Sequence, residues 1–407
     1  MKYIKDKNIV IGISGGIAAY KSAELLRLIQ KQDANVRVVM THNAGYFVGP
    51  LTFEALSGKP VYTNTFEKGG NTEIRHIQWA EETDAVIVAP ATANIIGKIA
   101  NGIADDALST FLLAVTCPVL ICPSMNTNMY EKISVQRNIE ILKKDGYFIV
   151  EPASGELACG TSGQGRLPEP EEILDRLIYC LSPKDFKGKK ILVTAGPTRE
   201  HIDPVRYISN PSSGKMGYAI ARAAEHRGAD VTLVSGPVNL EPPVNITMVN
   251  TVSAKDMAKA VFDNMENCDI IIKTAAVSDY RPKEAAKQKI KKGMDEISLV
   301  LQKNEDILFE LGKNKKNRVL IGFAAETENL EKNAKDKLAR KNLDIIVGNL
   351  VGERSDEEDD EKSPVFGMDT NKVVFFFRNG DTEHLPLMEK DMVAHALLDR
   401  IADLDKG

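Results

Sequence analysis

The chain is short of the residues that hold small secreted folds together. Its five cysteines, Cys117, Cys122, Cys159, Cys180 and Cys268, are odd in number and nowhere form Cys-x-x-Cys. Neither a disulfide framework nor a zinc site is indicated, and reduced thiols in the cytoplasm are the simpler reading. It also lacks a strong excess of either charge: the net value is −5, so no global field draws it to nucleic acid or to an anionic membrane. Long apolar runs are missing as well. The longest, Phe111–Cys122, is broken by Pro118 and is too short to span a bilayer. Lys5–Lys7 followed by Ile9–Tyr20 imitates a secretory leader, but Gly12, Gly15 and Gly16 interrupt it and it runs into the charged segment Lys21–Lys31. Finally there is no G-x-G-x-x-G and no Walker A loop, which weakens a nicotinamide-dependent oxidoreductase.

What is present is length and a βα rhythm. At 407 residues, with 43% hydrophobic and 27% charged residues, the chain suits two soluble globular domains. Ile9–Ile13, Val36–Met40, Ala85–Ala89, Val119–Cys122 and Phe148–Val150 read as buried strands without polar alternation. Helices over Asn94–Ala100, Ala107–Thr116 and Ile133–Lys144 fall between them. This predicts a doubly wound α/β domain over 1–181. The polar stretch from Leu181 to Lys190 supplies a linker at 182–190, and a second α/β domain follows over 191–407. Its strands are Ile191–Ala195, Asp230–Val234, Asp269–Lys273, Val319–Phe323 and Asp344–Val347, with Gly214–Arg227 as its first helix. Val373–Phe377 is a late strand and Asp391–Ile401 a closing helix, while Asp356–Glu361, six consecutive acids, reads as a solvated loop.

Several strand ends carry groups that suit chemistry. Gly12–Ala18 leaves a strand and opens a helix, where free N–H groups suit a phosphate, and Ser14 adds a hydroxyl. A mononucleotide fits this loop better than a dinucleotide, and a tight turn is the plain alternative. Pro90–Asn94 lies at the neighbouring strand end. Pro123–Met129 offers the amide of Asn126, and the Gly-rich stretch Ala158–Arg166, expected to be neither helix nor ladder, offers the thiol of Cys159. An ordinary thiol, with a pKa of about 8.5, can donate a proton at neutral pH. His76 is an acid/base candidate by its titration range, although a lone histidine is more often structural. In the second half, Asn210–Lys215 gathers an amide, two hydroxyls and a cation before a helix, an arrangement favouring an anion. Asp279 is available to a divalent ion. Lys287, Lys289, Lys291 and Lys292 are either a solvated basic loop or a means of neutralising a triphosphate.

Together these segments closely resemble the bifunctional phosphopantothenoylcysteine decarboxylase/phosphopantothenate–cysteine ligase family of coenzyme A biosynthesis, over nearly the whole chain. The decarboxylase pattern matches at Ser14–Lys21, His76, Pro123–Met129, Cys159 and Gly163–Arg166. The ligase pattern matches at Thr194–Glu200, Ile208–Gly217, Ala275–Asp279, Lys289–Lys292, Gly322–Thr327 and Lys341–Asp344. The chain departs from the pattern at Asn304–Ile307, where many relatives have Pro before Asp306, and in the length of the acidic loop.

The resemblance implies two three-layer α/β domains: a flavodoxin-like or Rossmann-like flavoprotein domain, then a Rossmann-like ligase domain. It implies FMN, with Ser14, Gly15, Gly16, Ile17, Thr41, Pro90, Thr92 and Asn94 as matched contacts. It implies CTP as co-substrate, matched at Ala275, Asp279, Lys289, Asp306, Ile307, Phe323, Lys337 and Lys341, with Mg²⁺ or Mn²⁺ at Asp279. In the implied chemistry CTP activates 4′-phosphopantothenate as an acyl-cytidylate held by Asn210, with Lys289 stabilising phosphate charge, and cysteine displaces CMP. The product is then oxidised, decarboxylated and reduced to 4′-phosphopantetheine. There Asn126 orients the carboxylate, His76 assists the first steps and Cys159 donates the last proton. A cytoplasmic homo-oligomer is implied, built of trimeric decarboxylase and dimeric ligase units, up to a dodecamer, with FMN near a subunit interface. The alternative is a flavin-binding regulatory or scaffold protein that has lost catalysis.

Overall fold

The computed structural model describes residues 2–65, 75–156, 162–291, 297–326, 328–350 and 367–404. Cys159, Lys292, Thr327 and the acidic run Asp356–Glu361 lie outside them. The chain divides into two compact units, 1–182 and 183–407.

The first unit runs β1 (Asn8–Ile13), α1 (Lys21–Gln30), β2 (Asn35–Met40), α2 (Pro50–Ser57), α3 (Arg75–Glu82), β3 (Ala85–Ala91), α4 (Ala93–Ala100), α5 (Ala107–Ala114) and β4 (Val119–Pro123). It continues with α6 (Thr127–Tyr130), α7 (Ile133–Lys144), β5 (Phe148–Ile149), β6 (Ala153–Glu156), β7 (Ser162–Arg166) and α8 (Pro170–Leu181). β1 to β5 form one parallel sheet in the order β2-β1-β3-β4-β5. Alternate side chains feed two cores, which is why the strands read as continuous apolar runs. Ile9, Ile11 and Ile13 meet Leu25, Leu26, Ile29 and Leu177 on one face. Val10, Val86 and Val88 meet Ile95, Ile99, Leu108 and Phe111 on the other. The result is the expected three layers.

Two local expectations need correction. The helix expected over Ala107–Thr116 stops at Ala114, because Val115 is already extended ahead of Pro118. The Gly-rich stretch expected to form no ladder does form one: Ser162–Arg166 pairs antiparallel with β6, with a register shift at Ala153/Ser154. Gly155 and Gly165 allow it with φ of 155° and 152°, a region open essentially to glycine alone.

The second unit runs β8 (Lys190–Ala195), β9 (Arg199–His201), β10 (Tyr207–Ser209), α9 (Lys215–His226), β11 (Asp230–Ser235), β12 (Thr247–Asn250), α10 (Ala254–Met265), β13 (Ile270–Lys273), β14 (Tyr280–Pro282), β15 (Leu301–Lys303) and α11 (Ile307–Lys313). It continues with β16 (Val319–Glu326), α12 (Leu330–Arg340), β17 (Ile345–Leu350), β18 (Thr370–Asn371), β19 (Val374–Phe377), β20 (Thr382–His384), β21 (Met388–Glu389) and α13 (Lys390–Leu404). Its main sheet has the order β12-β11-β8-β13-β16-β17-β19-β20, parallel through β17 and antiparallel beyond. α9 and α13 cover one face around Ile220, Ala224, Leu397 and Ile401. Met257, Val261, Leu308 and Leu311 belong to the core on the other.

The stretch after α8 is part of this second unit rather than a loose tether. Phe186 is buried in its core, and the Arg227 guanidinium stacks on the Phe186 ring at 4.9 Å. Arg227 also ion-pairs with Asp185 and, at 2.9 Å, with Asp399. Among the described residues no helix is long and apolar enough to cross a membrane.

Candidate functional sites

In each parallel sheet the strand order reverses once, between β1 and β3 in the first unit and between β8 and β13 in the second. Crossovers leave such a point in opposite directions, so a crevice opens at the carboxyl ends of the two strands. Both units have a cavity there.

The first cavity measures about 800 Å³ and is lined by Gly15, Gly16, Ile17, Lys21, Thr92, Asn126, Met129 and Arg166, among others. That is ample for a mononucleotide-sized ligand. Ser14 stands behind the lining. Its buried hydroxyl donates to the Pro90 carbonyl at 2.8 Å and accepts from the Thr92 N–H at 3.0 Å. It therefore ties the β1 loop to the β3 loop and leaves Gly15 and Gly16 to face the space. Gly15 packs so closely that a Cβ would lie 2.6 Å from that of Asn43. Thr41 is used locally, its hydroxyl accepting from the Ala44 N–H at 3.3 Å. Asn94 is exposed on the first turn of α4. Lys21 lines the cavity with its ammonium 2.8 Å from Glu169.

Asn126 caps α6, its Oδ1 accepting from the Asn128 N–H at 2.9 Å. β7 lies across this loop: the Met125 N–H donates to the Gly165 carbonyl at 3.0 Å. Glycine is required by that approach, since a Cβ on Gly163 would lie 2.6 Å from Thr127 Oγ1 and one on Gly165 only 2.2 Å from the Met125 carbonyl. Cys159, in the segment between β6 and β7, is outside the described residues. His76 is half-buried on α3 and does not line the cavity. The other cysteines, Cys117, Cys122, Cys180 and Cys268, form no disulfide among the described residues. Burial pushes Cys117 up to about 11 and Cys122 higher still, so both stay as inert thiols.

The second cavity, about 360 Å³, is lined by Gly196, the segment from Asn210 to Gly217, Thr274–Ala276, Phe323–Ala325, Asn349, Asn371 and Lys390. Gly214 caps α9 in the left-handed region, with φ of 77°, and exposes the positive helix end to the cavity. Gly217 lets α9 approach, because a Cβ there would sit 2.5 Å from Ala195 Cβ. Asn210 donates to the carbonyls of Ala276 and Val277 at 3.3 and 3.2 Å, fastening the β9–β10 ribbon to the end of β13. Lys215, expected to face an anion, has its ammonium 2.7 Å from Asp369 and 2.9 Å from the Gly367 carbonyl. Asn349 and Asn371 are buried, and among the described residues the Oδ1 of each has no hydrogen-bond donor.

The matched nucleotide residues are thus only partly gathered in the lining. Asn210, Ala275 and Phe323 line this cavity; Asp279, Lys289, Asp306, Ile307, Lys337 and Lys341 do not. Asp306 caps α11 through Phe309 N–H and pairs with Lys341 at 2.8 Å. Burial pushes the Asp306 carboxyl up, but the Lys341 ammonium and the cap outweigh it and hold it below its ordinary value. Lys337 pairs with Glu326. Lys289 is exposed. Its neighbour Ile290 is held at both backbone groups, donating to Asp203 at 3.1 Å and accepting from Arg206 at 2.8 Å. Among the described residues no three His, Cys, Asp or Glu side chains gather to hold a metal.

Sequence reasoning missed Lys273, at the carboxyl end of β13. Burial pulls its ammonium down to about 8, Lys341 and Lys337 add to this, and Asp306 and Asp279 oppose it. The available signal was a lysine ending the apolar run Ile270–Ile272 of a covered sheet. The basic run Lys313–Arg318 proves structural: Lys315 pairs with Asp344, and Lys316 and Arg318 with Glu266.

Comparison with known proteins completes the description. Residues 2–182 match the Flavoprotein family model and residues 186–404 the DNA/pantothenate metabolism flavoprotein C-terminal domain. The coenzyme A biosynthesis bifunctional protein CoaBC of Bacillus subtilis is 48% identical, with 99% of this chain and 98% of that protein covered. Its counterpart in Escherichia coli K12 is 44% identical, with 98% and 97% covered. A crystal structure of the C-terminal domain of a CoaBC protein is 43% identical over 55% of this chain and 98% of that one, with a TM-score of 0.46.

Proposed function

The chain belongs to the family of coenzyme A biosynthesis bifunctional proteins, and from that premise we propose how its two units divide the work. It is an enzyme with phosphopantothenoylcysteine decarboxylase and phosphopantothenate–cysteine ligase activities. The regulatory-scaffold alternative finds no support in the comparisons. The observation that carries the division is topological: each sheet reverses beside a cavity bordered by its own matched motif.

In this reading 1–181 is the decarboxylase and 191–407 the ligase, joined through 182–190. The first cavity takes FMN. The β2-β1-β3-β4-β5 order is that of flavodoxin-like sheets, in which FMN binds at the β1/β3 reversal. Gly15, Gly16, Ile17 and Thr92 hold it, on a scaffold fixed by Ser14 and Pro90, with Thr41 and Asn94 at the margins. Bound there, the flavin supplies two-electron oxidation and reduction. The chain's own groups do the rest. Asn126 orients the substrate carboxylate, Cys159 gives a proton, and His76 moves a proton in the first steps. Because His76 lies away from its own cavity lining, a second copy would supply it, which accords with trimeric decarboxylase units.

The second cavity takes the acyl substrate beside α9, with Asn210 holding the acyl-cytidylate. CTP lies along Ala275, Asp279, Asp306, Ile307, Phe323, Lys337 and Lys341, and Lys289 meets charge developing on the phosphates. A Mg²⁺ or Mn²⁺ ion would rest on Asp279 and on triphosphate oxygens, as such ions usually do. Dimeric ligase units and a cytoplasmic setting complete the proposal.

The test is mass spectrometry of products from the purified flavin-loaded chain given 4′-phosphopantothenate, cysteine, CTP and Mg²⁺. The expected products are 4′-phosphopantetheine and CMP. Absence of CMP would remove the CTP assignment. CMP formed alongside phosphopantothenoylcysteine alone would remove the proposed decarboxylase site.

A further inference from the structure

The β9–β10 hairpin does more than carry Asn210 to the second cavity. Its base is fixed to the body of the unit. The Arg199 N–H donates to the Val252 carbonyl at 2.8 Å, and the buried Glu200 carboxylate accepts from the Ala254 N–H at 2.8 Å. The Ser209 hydroxyl donates to the Thr198 carbonyl at 2.8 Å, and the Asn210 amide donates to the carbonyls of Ala276 and Val277. The turn between the two strands reaches a different segment, the one that carries Lys289. There the Ala286 N–H donates to the Ile202 carbonyl at 2.9 Å. Further along, Ile290 donates to Asp203 and accepts from Arg206. Lys287, Gln288 and Lys289, between these two ties, are exposed.

Asp203 joins the turn to that segment. Its side chain is shielded from solvent, and a carboxylate is costly to bury unless its oxygens are satisfied. Oδ1 accepts from the Val205 and Arg206 N–H groups, both at 2.8 Å, as an aspartate opening a turn commonly does. Oδ2 serves something else. It accepts from Arg206 Nε at 2.9 Å, from Arg206 Nη2 at 2.6 Å and from the Ile290 N–H at 3.1 Å. The same Nη2 donates to the Ile290 carbonyl at 2.8 Å. An ion pair therefore grips both backbone groups of the residue that follows Lys289. Burial pushes the Asp203 carboxyl up, but the Val205 N–H, the Arg206 guanidinium and the N–H groups of Ile290 and Arg206 outweigh it and hold it well below the usual carboxylate range. The grip stays charged at neutral pH. Oδ1 alone would hold the turn; Oδ2 is explained by the segment it holds.

The consequence rests on the proposed ligase reading, in which Lys289 meets charge on the triphosphate. A lysine ammonium ends a flexible stem, so on an unfixed backbone it spends little time in the one useful position. Fixing the adjacent residue raises that fraction. We infer that Asp203 is a positioning residue of the ligation reaction: through Oδ2 and Arg206 it fixes Ile290 and so aims Lys289 at the triphosphate while the acyl-cytidylate forms. In that step a carboxylate oxygen of the acyl substrate bonds to the α-phosphorus of CTP. The bond from that phosphorus to the bridging oxygen breaks, and pyrophosphate leaves with the electron pair and the charge that Lys289 meets. Asp203 touches no substrate. The later step, in which the cysteine amine displaces CMP, depends on Asn210 at the other end of the hairpin and not on the Oδ2 grip.

The experiment follows a single turnover of the full-length chain in two stages. Excess enzyme is mixed with CTP, Mg²⁺ and 4′-phosphopantothenate, and the pyrophosphate burst is timed. Cysteine is then added, and CMP release is timed. Asp203→Asn is the informative variant. It keeps an oxygen for the Val205 and Arg206 N–H groups but turns an amide NH₂ toward Arg206 and Ile290, so the turn stays and the grip is lost. The burst is expected to slow about tenfold or more, with CMP release within about twofold of wild type. Residue-resolved hydrogen exchange should find the Ile290 N–H protected in wild type and unprotected in the variant. A burst at the wild-type rate overturns the inference. Equal slowing of both stages also overturns it, because a displaced hairpin would move Asn210 as well. If the variant does not fold, hydrogen exchange of wild type still decides: an Ile290 N–H that exchanges as fast as that of Lys289 refutes the grip, and a protected one supports it. Should wild type release no pyrophosphate from CTP, the ligase reading falls and takes this inference with it, whereas a burst retained in Asp203→Asn overturns the inference alone.

Discussion

Gly165→Ala tests whether the flap strand must lie on the Asn126 loop. The Cβ it adds would stand 2.2 Å from the Met125 carbonyl oxygen, against ordinary contact from 3.4 Å outward. Backbone meets backbone here, so no flexible side chain can yield, and β7 must lift by more than 1 Å. Lifting breaks the Met125 N–H···O Gly165 bond, worth about 1 kcal/mol. Alanine at a φ of 152° adds about 1–3 kcal/mol of backbone strain. The local cost is therefore about 2–4 kcal/mol. The functional cost is larger than stability alone suggests, since a displacement of about 1 Å in a positioned group can slow a reaction about 100-fold. Decarboxylation of supplied phosphopantothenoylcysteine, followed by CO₂ release, should fall by about that factor, while pyrophosphate release by the ligase unit stays at the wild-type rate. Gly58→Ala is the control. Gly58 also has positive φ, 68°, but nothing lies within 4 Å of its added Cβ, so it should cost only about 1 kcal/mol and leave both activities intact. Wild-type decarboxylation by Gly165→Ala would refute the reasoning.

Lys289→Gln should abolish CTP-dependent pyrophosphate release while leaving decarboxylation of supplied phosphopantothenoylcysteine intact; joint loss would show that the units are not independent. Arg227→Met strands Asp185 and Asp399 beside a guanidinium site that is 2% exposed. Because both carboxylates keep some water, the ligase unit should lose about 2–3 kcal/mol in urea melts, below the full cost of breaking a buried pair. Lys273 has a folded pKa near 8 against 10.5 for the ordinary side chain. Between those values the unfolded chain binds more protons, so this group makes stability rise with pH across that window. In a series of urea midpoints from pH 7 to 10.5, Lys273→Met should lack that part of the rise.

The parallel strands were legible because their residues form nearly continuous apolar runs, as in Val119–Cys122, which is what a strand buried on both faces favours. The glycine motifs were legible for a related reason: at Gly214 and Gly217 the backbone needs a left-handed turn and a close approach. What remained hidden depends on distant partners. Ser162–Arg166 looks like a flexible loop until β6 pairs with it. Lys215 looks free to meet an anion until Asp369, 154 residues later, approaches it. Asn371 and Lys390 carry no motif at all; only the path of β18, β21 and α13 brings them to the cavity.

The packing of α13 against α9 imposes an order on synthesis. Val393, Leu397, Leu398 and Ile401 share a core with Ile220 and Ala224 of the unit's first helix. A ribosome that has finished β17 has therefore made most of the ligase sheet while one of its faces still lacks half its cover. The first unit is free of this delay, because α8, which packs beside α1 against β3 and β4, is complete at Leu181. Domains emerging from the N-terminus generally fold first. A nascent chain paused near residue 380 would then carry a finished flavoprotein unit and an exposed apolar sheet face, the form most in need of a chaperone.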